Sequence, residues 1–288
     1  MKKIYLLDRN IISILDRFHE GKELRVDQVN ILSYLRSLDR KTNIFSPILA
    51  IMEGQSGRLE TESEIEKTIL DDISKLSEAK FFKQASIDRS FCQHVILKSL
   101  LVESLKTSAR DLKRDSHIAL LEYYNLIIGG KIKTERRKKI AFEMKEKADK
   151  LNLHLEHPTF FASLLCLFGS DNARRLLKFG AKDFNPYNSY SDIKYFLDSI
   201  RVKDLFYRSN LDLVAKIISH DKGIAFLERL YSGPLSTAHR PSAPLVNDFI
   251  INLTINVKEV SYEITGKENR NNFCKTFSEL YGKNIECL

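Results

Sequence analysis

The chain has 288 residues and a formal net charge of +8; 43% of its residues are hydrophobic and 29% are charged. That composition excludes disordered and fibrous classes, and the length can bury one core, or a core and a second module, without help from disulfides or metals. No stretch approaches ~18 uninterrupted apolar residues, and the amino terminus reaches Asp8 before a long apolar run develops, so neither a membrane span nor a signal peptide is expected.

Ile4 to Leu7 is a short continuous apolar run, which predicts a strand buried on both faces. Asp8-Arg9-Asn10 follows, and then Ile11, Ile12, Ile14, Leu15 and Phe18 recur at helical spacing. A second helix is predicted over 26–38, with Val29, Leu32, Leu35 and Leu38 on one stripe. Asn43 to Ser46 suits another short strand, and Pro47 is placed to open a helix running to Glu53, with Gly54 near its end. Strands alternating with helices in this way indicate an α/β sheet with parallel strands.

From about Arg58 to Asp183 the pattern becomes almost continuously helical, with breaks expected at Gly129-Gly130, His157-Pro158 and Gly169-Ser170 and no strand expected. At 185–192 a loop is expected to lead into a helix through Ile193, Phe196, Leu197 and Ile200. Leu213 to Ile218 then reads as a strand stopped by Ser219-His220-Asp221, with a helix from Gly223 to Tyr231. The tail beyond Leu245 is open between helix and strand. These readings divide the chain into a discontinuous α/β core of residues 1–56 and 186–232, a helical insertion of 57–185 and a carboxyl-terminal extension of 233–288.

Cys92, Cys166, Cys274 and Cys287 lie far apart without a C-x-x-C pair, which predicts reduced thiols and a cytoplasmic protein. The positive charge favours encounter with a polyanion. It gains meaning where acids gather inside a basic background, because such a cluster needs a compensating cation.

In an open parallel sheet, ligands collect at the carboxyl ends of the strands. Asp8 follows the first strand, Asp221 follows the last clear one, and Glu53 lies in the helix after the second. Three carboxylates from distant sequence can therefore meet. A divalent cation with hard oxygen ligands, Mg²⁺ or Mn²⁺, would relieve their repulsion.

The residues around these acids carry a family resemblance. The apolar strand running into Asp8-x-Asn10 resembles the first motif of PIN-domain nucleases. Ser46-Pro47 followed by a helix bearing Glu53 resembles the second, and Ile217-Ile218-Ser219-His220-Asp221 resembles the fourth. Asp192, shortly before that last strand, takes the place of the third acid, with Asp198 or Asp204 as alternatives. The resemblance covers residues 1–56 and about 186–232, and not the helical middle.

It implies an α/β fold with a PIN-like three-layer core around a parallel sheet, interrupted by a large all-helical insertion. It also implies a metal-dependent endoribonuclease, with RNA as substrate and single-stranded DNA also open. Asp8 and Asp221 would be the principal metal ligands, Glu53 and Asp192 would complete the catalytic site, and Asn10 and Ser219 would orient ligands or phosphate. A catalytically inactive PIN-like nucleic-acid-binding or protein-interaction module is the alternative. A phosphatase with an aspartate nucleophile is disfavoured, because such sites need a second aspartate where Asn10 stands. A homodimer is open, and no protein partner is indicated.

Each residue also has a plainer reading. Asp8 could cap the following helix, Glu53 could be a solvated helix residue, and Asp221 and Asp192 could serve turns or caps. His154 and His157 could share a helix face and bind zinc, but Pro158 follows and a helix-end role is favoured. The basic run from Lys131 to Lys139 could grip a phosphate backbone, although intervening acids favour a solvated face. Cys166 reads as a buried small hydrophobe, and Tyr187 and Tyr190 as packing residues in a loop that could also stack on bases.

Overall fold

The computed structural model describes residues 2–53, 63–64, 67, 70–72, 74, 81–88, 113–208, 213–220, 222–231, 260 and 262–282. The chain forms two compact units. The first comprises Met1–Arg110, Leu197–Asp221 and Arg240–Asp248; the second comprises Asp111–Phe196, Lys222–His239 and Phe249–Leu288.

The first unit is built on a four-stranded, all-parallel sheet of β1 (Lys2–Leu7), β2 (Asn43–Ser46), β3 (Ser86–Ile87) and β4 (Leu213–Ile218), in the order β3-β2-β1-β4. Ile4, Tyr5, Leu6 and Leu7 are all buried, as a strand covered on both faces requires. The parallel α/β class expected from the alternation is present. The strand β3 was not expected, since 58–183 reads as helical throughout. With two residues it is too short to show a pattern of its own, and its identity comes from pairing Ser86 with Ile44 and Ile87 with Phe45.

Among the described residues, α1 (Arg9–His19), α2 (Val26–Ser37) and α3 (Ile48–Glu53) accompany these strands. Residues two apart on a strand share a face, so Tyr5 and Leu7 of β1 lie beside Phe45 of β2 and Ile218 of β4. Ile11, Ile12, Ile14 and Leu15 of α1 and Leu32 and Leu35 of α2 close over that face as one core. Each such side chain, when fully buried, contributes about 1.5–3 kcal/mol. The rings of Phe45 and Phe82 stack at 3.9 Å and extend the core toward β3.

Asp39, just beyond α2, fixes the approach to β3. Its carboxylate accepts the backbone N–H groups of Lys83 and Ala85 at 2.7 Å and of Gln84 at 2.9 Å. Partial burial pushes this carboxyl up, but the N–H groups of Ala85, Lys83 and Gln84, with the Lys83 charge, outweigh it and hold the carboxyl below its usual 3.8.

The second unit is helical: α4 (Arg114–Ile128), α5 (Thr134–Lys150), α6 (Pro158–Leu167), α7 (Asp171–Leu177), the first part of α8 (Pro186–Arg208), α9 (Lys222–Leu230) and α10 (Lys267–Tyr281). Every residue of α6 is buried, so this helix is apolar all round and central. The expected breaks hold for a local reason at each place. The imidazole of His157 accepts the N–H of Thr159 and caps α6, and Ser170 caps α7. Cys166 is a free, buried thiol in α6; burial foremost pushes it up to about 11. Cys274, by contrast, is disulfide-bonded, with its partner outside the described residues, which corrects the expectation of four reduced thiols. Gly129 and Gly180 bring two backbones together. Gly180 has a φ of +78°, and a Cβ there would lie 2.2 Å from the carbonyl oxygen of Gly129.

No helix among the described residues is long and apolar enough to cross a membrane.

Two outcomes follow for stability. Asp39→Ala is expected to cost on the order of 1 kcal/mol at neutral pH, a modest figure because the group is near solvent. Since the folded-state carboxyl is depressed, that difference should be full above the usual 3.8 and vanish as pH falls further, which urea unfolding at several pH values would read. Gly180→Ala should destabilise the helical unit by at least about 2 kcal/mol, through left-handed strain and the clash. Gly130→Ala, where a Cβ meets nothing within 4 Å, is the control and should change the melting temperature little.

Candidate functional site

The parallel strands end at one edge, and each delivers a polar residue there: Asp8 after β1, Ser46 at the end of β2, Asp88 after β3 and Ser219 after β4. The order β3-β2-β1-β4 places the second and third strands on one side of β1 and the fourth on the other. The strand order therefore reverses between β1 and β4, and in open α/β sheets ligands bind beyond the carboxyl ends of the strands at such a point. Asp8 and Ser219 flank that point.

The register brings these two residues together. Leu7 pairs with Ile218, and the N–H of Asp8 continues the ladder by donating to the Ile218 carbonyl at 3.3 Å. Asp8 is only 3% exposed. One carboxylate oxygen, Oδ1, accepts the N–H of Ile11 at 2.7 Å, and the other, Oδ2, accepts the hydroxyl of Ser219 at 2.5 Å. The capping role is thus realised, and α1 begins where it does because Asp8 takes up an N–H of its first turn. The cap takes one oxygen of the carboxylate, and Ser219 holds the other.

Arg9 directs its charge elsewhere. Its guanidinium donates to Asp72, fully buried, at 2.6 Å, and to the carbonyl oxygen of Ala50 in α3. This pair fastens the start of α1 to α3, while Asp8 lies at the positive end of the α1 dipole.

Asp88 is 7% exposed, and its N–H donates to the Phe45 carbonyl at 2.7 Å, so it ends β3 as Asp8 ends β1. Sequence reasoning passed over it. The signal was an aliphatic residue followed by Asp in Ser86-Ile87-Asp88, a short copy of Leu7-Asp8. Asp72 carried no such mark.

Asp192 stands differently from its expected place. The helix starts at Pro186 rather than near Ser191, because Asn185 caps it by accepting the N–H groups of Tyr187 at 2.9 Å and Asn188 at 3.4 Å. Pro186 then takes the first helical position, which needs no N–H. Asp192 lies inside α8 in the second unit, where its carboxylate meets the Lys178 ammonium at 3.0 Å. Asp198, six residues on, belongs to the first unit and is 2% exposed. Six residues at 3.6 per turn place the two acids on different faces of the helix.

The backbone of Glu53 ends α3, but its side chain lies outside the described residues, as does Asp221 altogether. Asn10 is exposed in the first turn of α1. His220 pairs with Asp27 at 3.0 Å. Desolvation pushes the Asp27 carboxyl up, while Arg25, the N–H of Gln28 and His220 together hold it below its usual value.

Outside this edge the plainer readings prevail. His157 is a helix cap and stacks on buried His117 at 4.0 Å, and Tyr190 is itself buried and stacks on His117 at 5.6 Å. On α5, Lys138 pairs with Glu279 of α10, Lys145 with Asp149 and Lys150 with Glu146. Among the described residues, which leave out Asp221 and the Glu53 side chain, no three His, Cys, Asp or Glu side chains gather closely enough to hold a metal ion.

The double use of Asp8 can be separated by stability. Asp8→Ala should cost about 1 kcal/mol through loss of the cap, whereas Asp8→Asn should unfold in urea close to the parent, since Asn caps as well as Asp and its amide can donate to Ser219. Set against known proteins, the chain matches no family model, no curated protein and no solved structure.

Proposed function

We propose that this chain is a PIN-like, metal-dependent ribonuclease whose site is organised around Asp8. One observation supports the reading above others: a buried carboxylate at the switch point of a parallel sheet, oriented through both oxygens by the Ser219 hydroxyl and the Ile11 N–H. Donors on both oxygens hold the group in one orientation, as a metal-ligating carboxylate requires.

The donor chemistry fits Mg²⁺ or Mn²⁺. Asp8 supplies a hard-oxygen carboxylate at the carboxyl ends of the strands. Asp8 and Asp221 would hold the ion, with Glu53 completing the site. The third acid is assigned to Asp198 in preference to Asp192, because Asp198 lies in the sheet unit while Lys178 engages Asp192. When bound, the ion supplies an activated water and offsets charge developing on phosphoryl oxygens. The chain's own part is positional. Ser219 fixes the rotamer of Asp8, Asp8 also sets the start of α1, and exposed Asn10, two residues on, would meet a phosphate. RNA is the substrate class by resemblance, and the chain's positive charge suits a polyanion.

The capping geometry also favours a second reading, an inactive PIN-like module that binds nucleic acid or protein, in which Asp8 serves the fold alone. Cleavage of labelled RNA and single-stranded DNA with Mg²⁺, Mn²⁺ or EDTA decides between them. The nuclease reading expects metal-dependent RNA cleavage that falls on the order of a hundredfold or more in Asp8→Asn, and by about tenfold in Ser219→Ala. Equal cleavage by Asp8→Asn and the parent would remove Asp8 from the chemistry, and binding without cleavage under every metal would establish the inactive module.

A further inference from the structure

Lys216 breaks the apolar run of β4, Leu213-Val214-Ala215-Lys216-Ile217-Ile218, at a position where a buried parallel strand calls for an aliphatic residue. It is exposed, and its register partner on β1 is Tyr5. Lys3, two residues before Tyr5, shares that face by the alternation of the strand. The three side chains meet a cavity of about 350 Å³ whose wall is completed by Tyr34, Arg40 and Thr42. The side-chain amide of Asn43 donates to the Leu38 carbonyl at 2.7 Å and so holds the turn that carries Arg40 and Thr42.

The lining brings together three cations, and no carboxylate belongs to it among the described residues. None of Lys3, Arg40 and Lys216 has an ion-pair partner among the described residues. Like charges around one concavity repel, and an oxyanion relieves the repulsion. Neutral donors are present too. Burial, first, and Tyr34, second, push the Tyr5 hydroxyl up while Arg40 opposes them, so it remains an O–H donor at neutral pH. Thr42 adds a second hydroxyl. Tyr34, 50% exposed, offers an aromatic face on which a base can stack. The volume sits at the low end of the ~300–1,000 Å³ of small-molecule pockets, which suits one nucleotide and not a dinucleotide.

We infer that this cavity is a binding site for a phosphate monoester of nucleotide size, with Arg40, Lys3 and Lys216 receiving the phosphate and Tyr34 the base. It is separate from the Asp8 edge: Lys3 and Asp8 stand five residues apart along β1, roughly 16 Å at the rise of a strand. The inference does not rest on the nuclease reading. The phosphate can come from a free nucleoside monophosphate or from the 5′ end of an RNA strand.

Titration calorimetry of the full chain with adenosine 5′-monophosphate, beside adenosine, tests it. Binding with a Kd below about 1 mM is expected for the monophosphate, and at least about tenfold weaker binding for adenosine. The Arg40→Gln/Lys216→Gln variant, altered only at exposed positions and checked by thermal melting, should bind the monophosphate at least about tenfold more weakly. Asp8→Asn should bind it as the parent does. In that Asp8→Asn background, a 5′-phosphorylated oligoribonucleotide binding more tightly than both its 5′-hydroxyl form and the monophosphate would make the RNA end the ligand; equal affinity for the monophosphate would make it the free nucleotide. Equal binding of monophosphate and adenosine, undiminished binding by the double variant, or no binding of the monophosphate up to about 10 mM would each overturn the site.

Discussion

A carboxylate withdrawn from water must find donors or lose its charge, and the placement of Asp8 meets that demand with groups from two directions in the chain. The N–H of Ile11 comes from the helix that Asp8 itself starts, and the hydroxyl of Ser219 comes from the end of a strand more than two hundred residues later. The bond to Ser219 therefore does more than orient one side chain. It closes the carboxyl end of the β1–β4 pair, whose register runs from Lys2 opposite Leu213 to Leu7 opposite Ile218. The strand order changes direction at that seam, so the same contact that completes the ladder also stands at the reversal.

Around that seam the first unit separates its charges. Carboxylates stand at the carboxyl ends of the strands, where Asp8 and Asp88 are buried, and Arg9 pairs with buried Asp72. Toward the amino-terminal half stand Lys3, Arg40 and Lys216, cations without an ion-pair partner among the described residues. Parallel strands make this separation natural, because all chain starts lie at one edge and all strand ends at the other. The net charge of the chain would not reveal this division, since it sums over both.

What could be read from the sequence followed the strength of the local signal. Runs such as Ile4-Tyr5-Leu6-Leu7 and Leu213 to Ile218, and the helical spacing of Ile11, Ile14 and Leu15, carry enough apolar residues to show their period, and these elements stand where expected. The two-residue β3 carries no period and exists through its pairing with β2. The start of α8 was obscured because Asn185-Pro186 is equally a loop signal and a cap followed by a first-turn proline. Asp8 and Ser219 were legible because each ends a clear strand. Asp72 was not, and Asp198 stood only as an alternative to Asp192, since burial of an Asp depends on what packs over it from elsewhere. The cavity cations were hidden for the same reason: Lys3, Arg40 and Lys216 are scattered in sequence and become neighbours only through the sheet register.

The second unit bears on where a polyanion would be received. Its most basic helix, α5, looks like a phosphate grip when read alone, yet Lys138 is met by Glu279 of α10, and Lys145 and Lys150 by acids one turn away on the same helix. An exposed pair of this kind adds little stability, but it also leaves little net field to attract an anion. The cations of the sheet unit's cavity have no such partners among the described residues, and low-dielectric walls concentrate the field of a concave cluster more than that of a convex helix face. Concavity is thus what distinguishes Lys3, Arg40 and Lys216 from Lys131, Lys133 and Arg136 of the basic run, which stand on an exposed helix start.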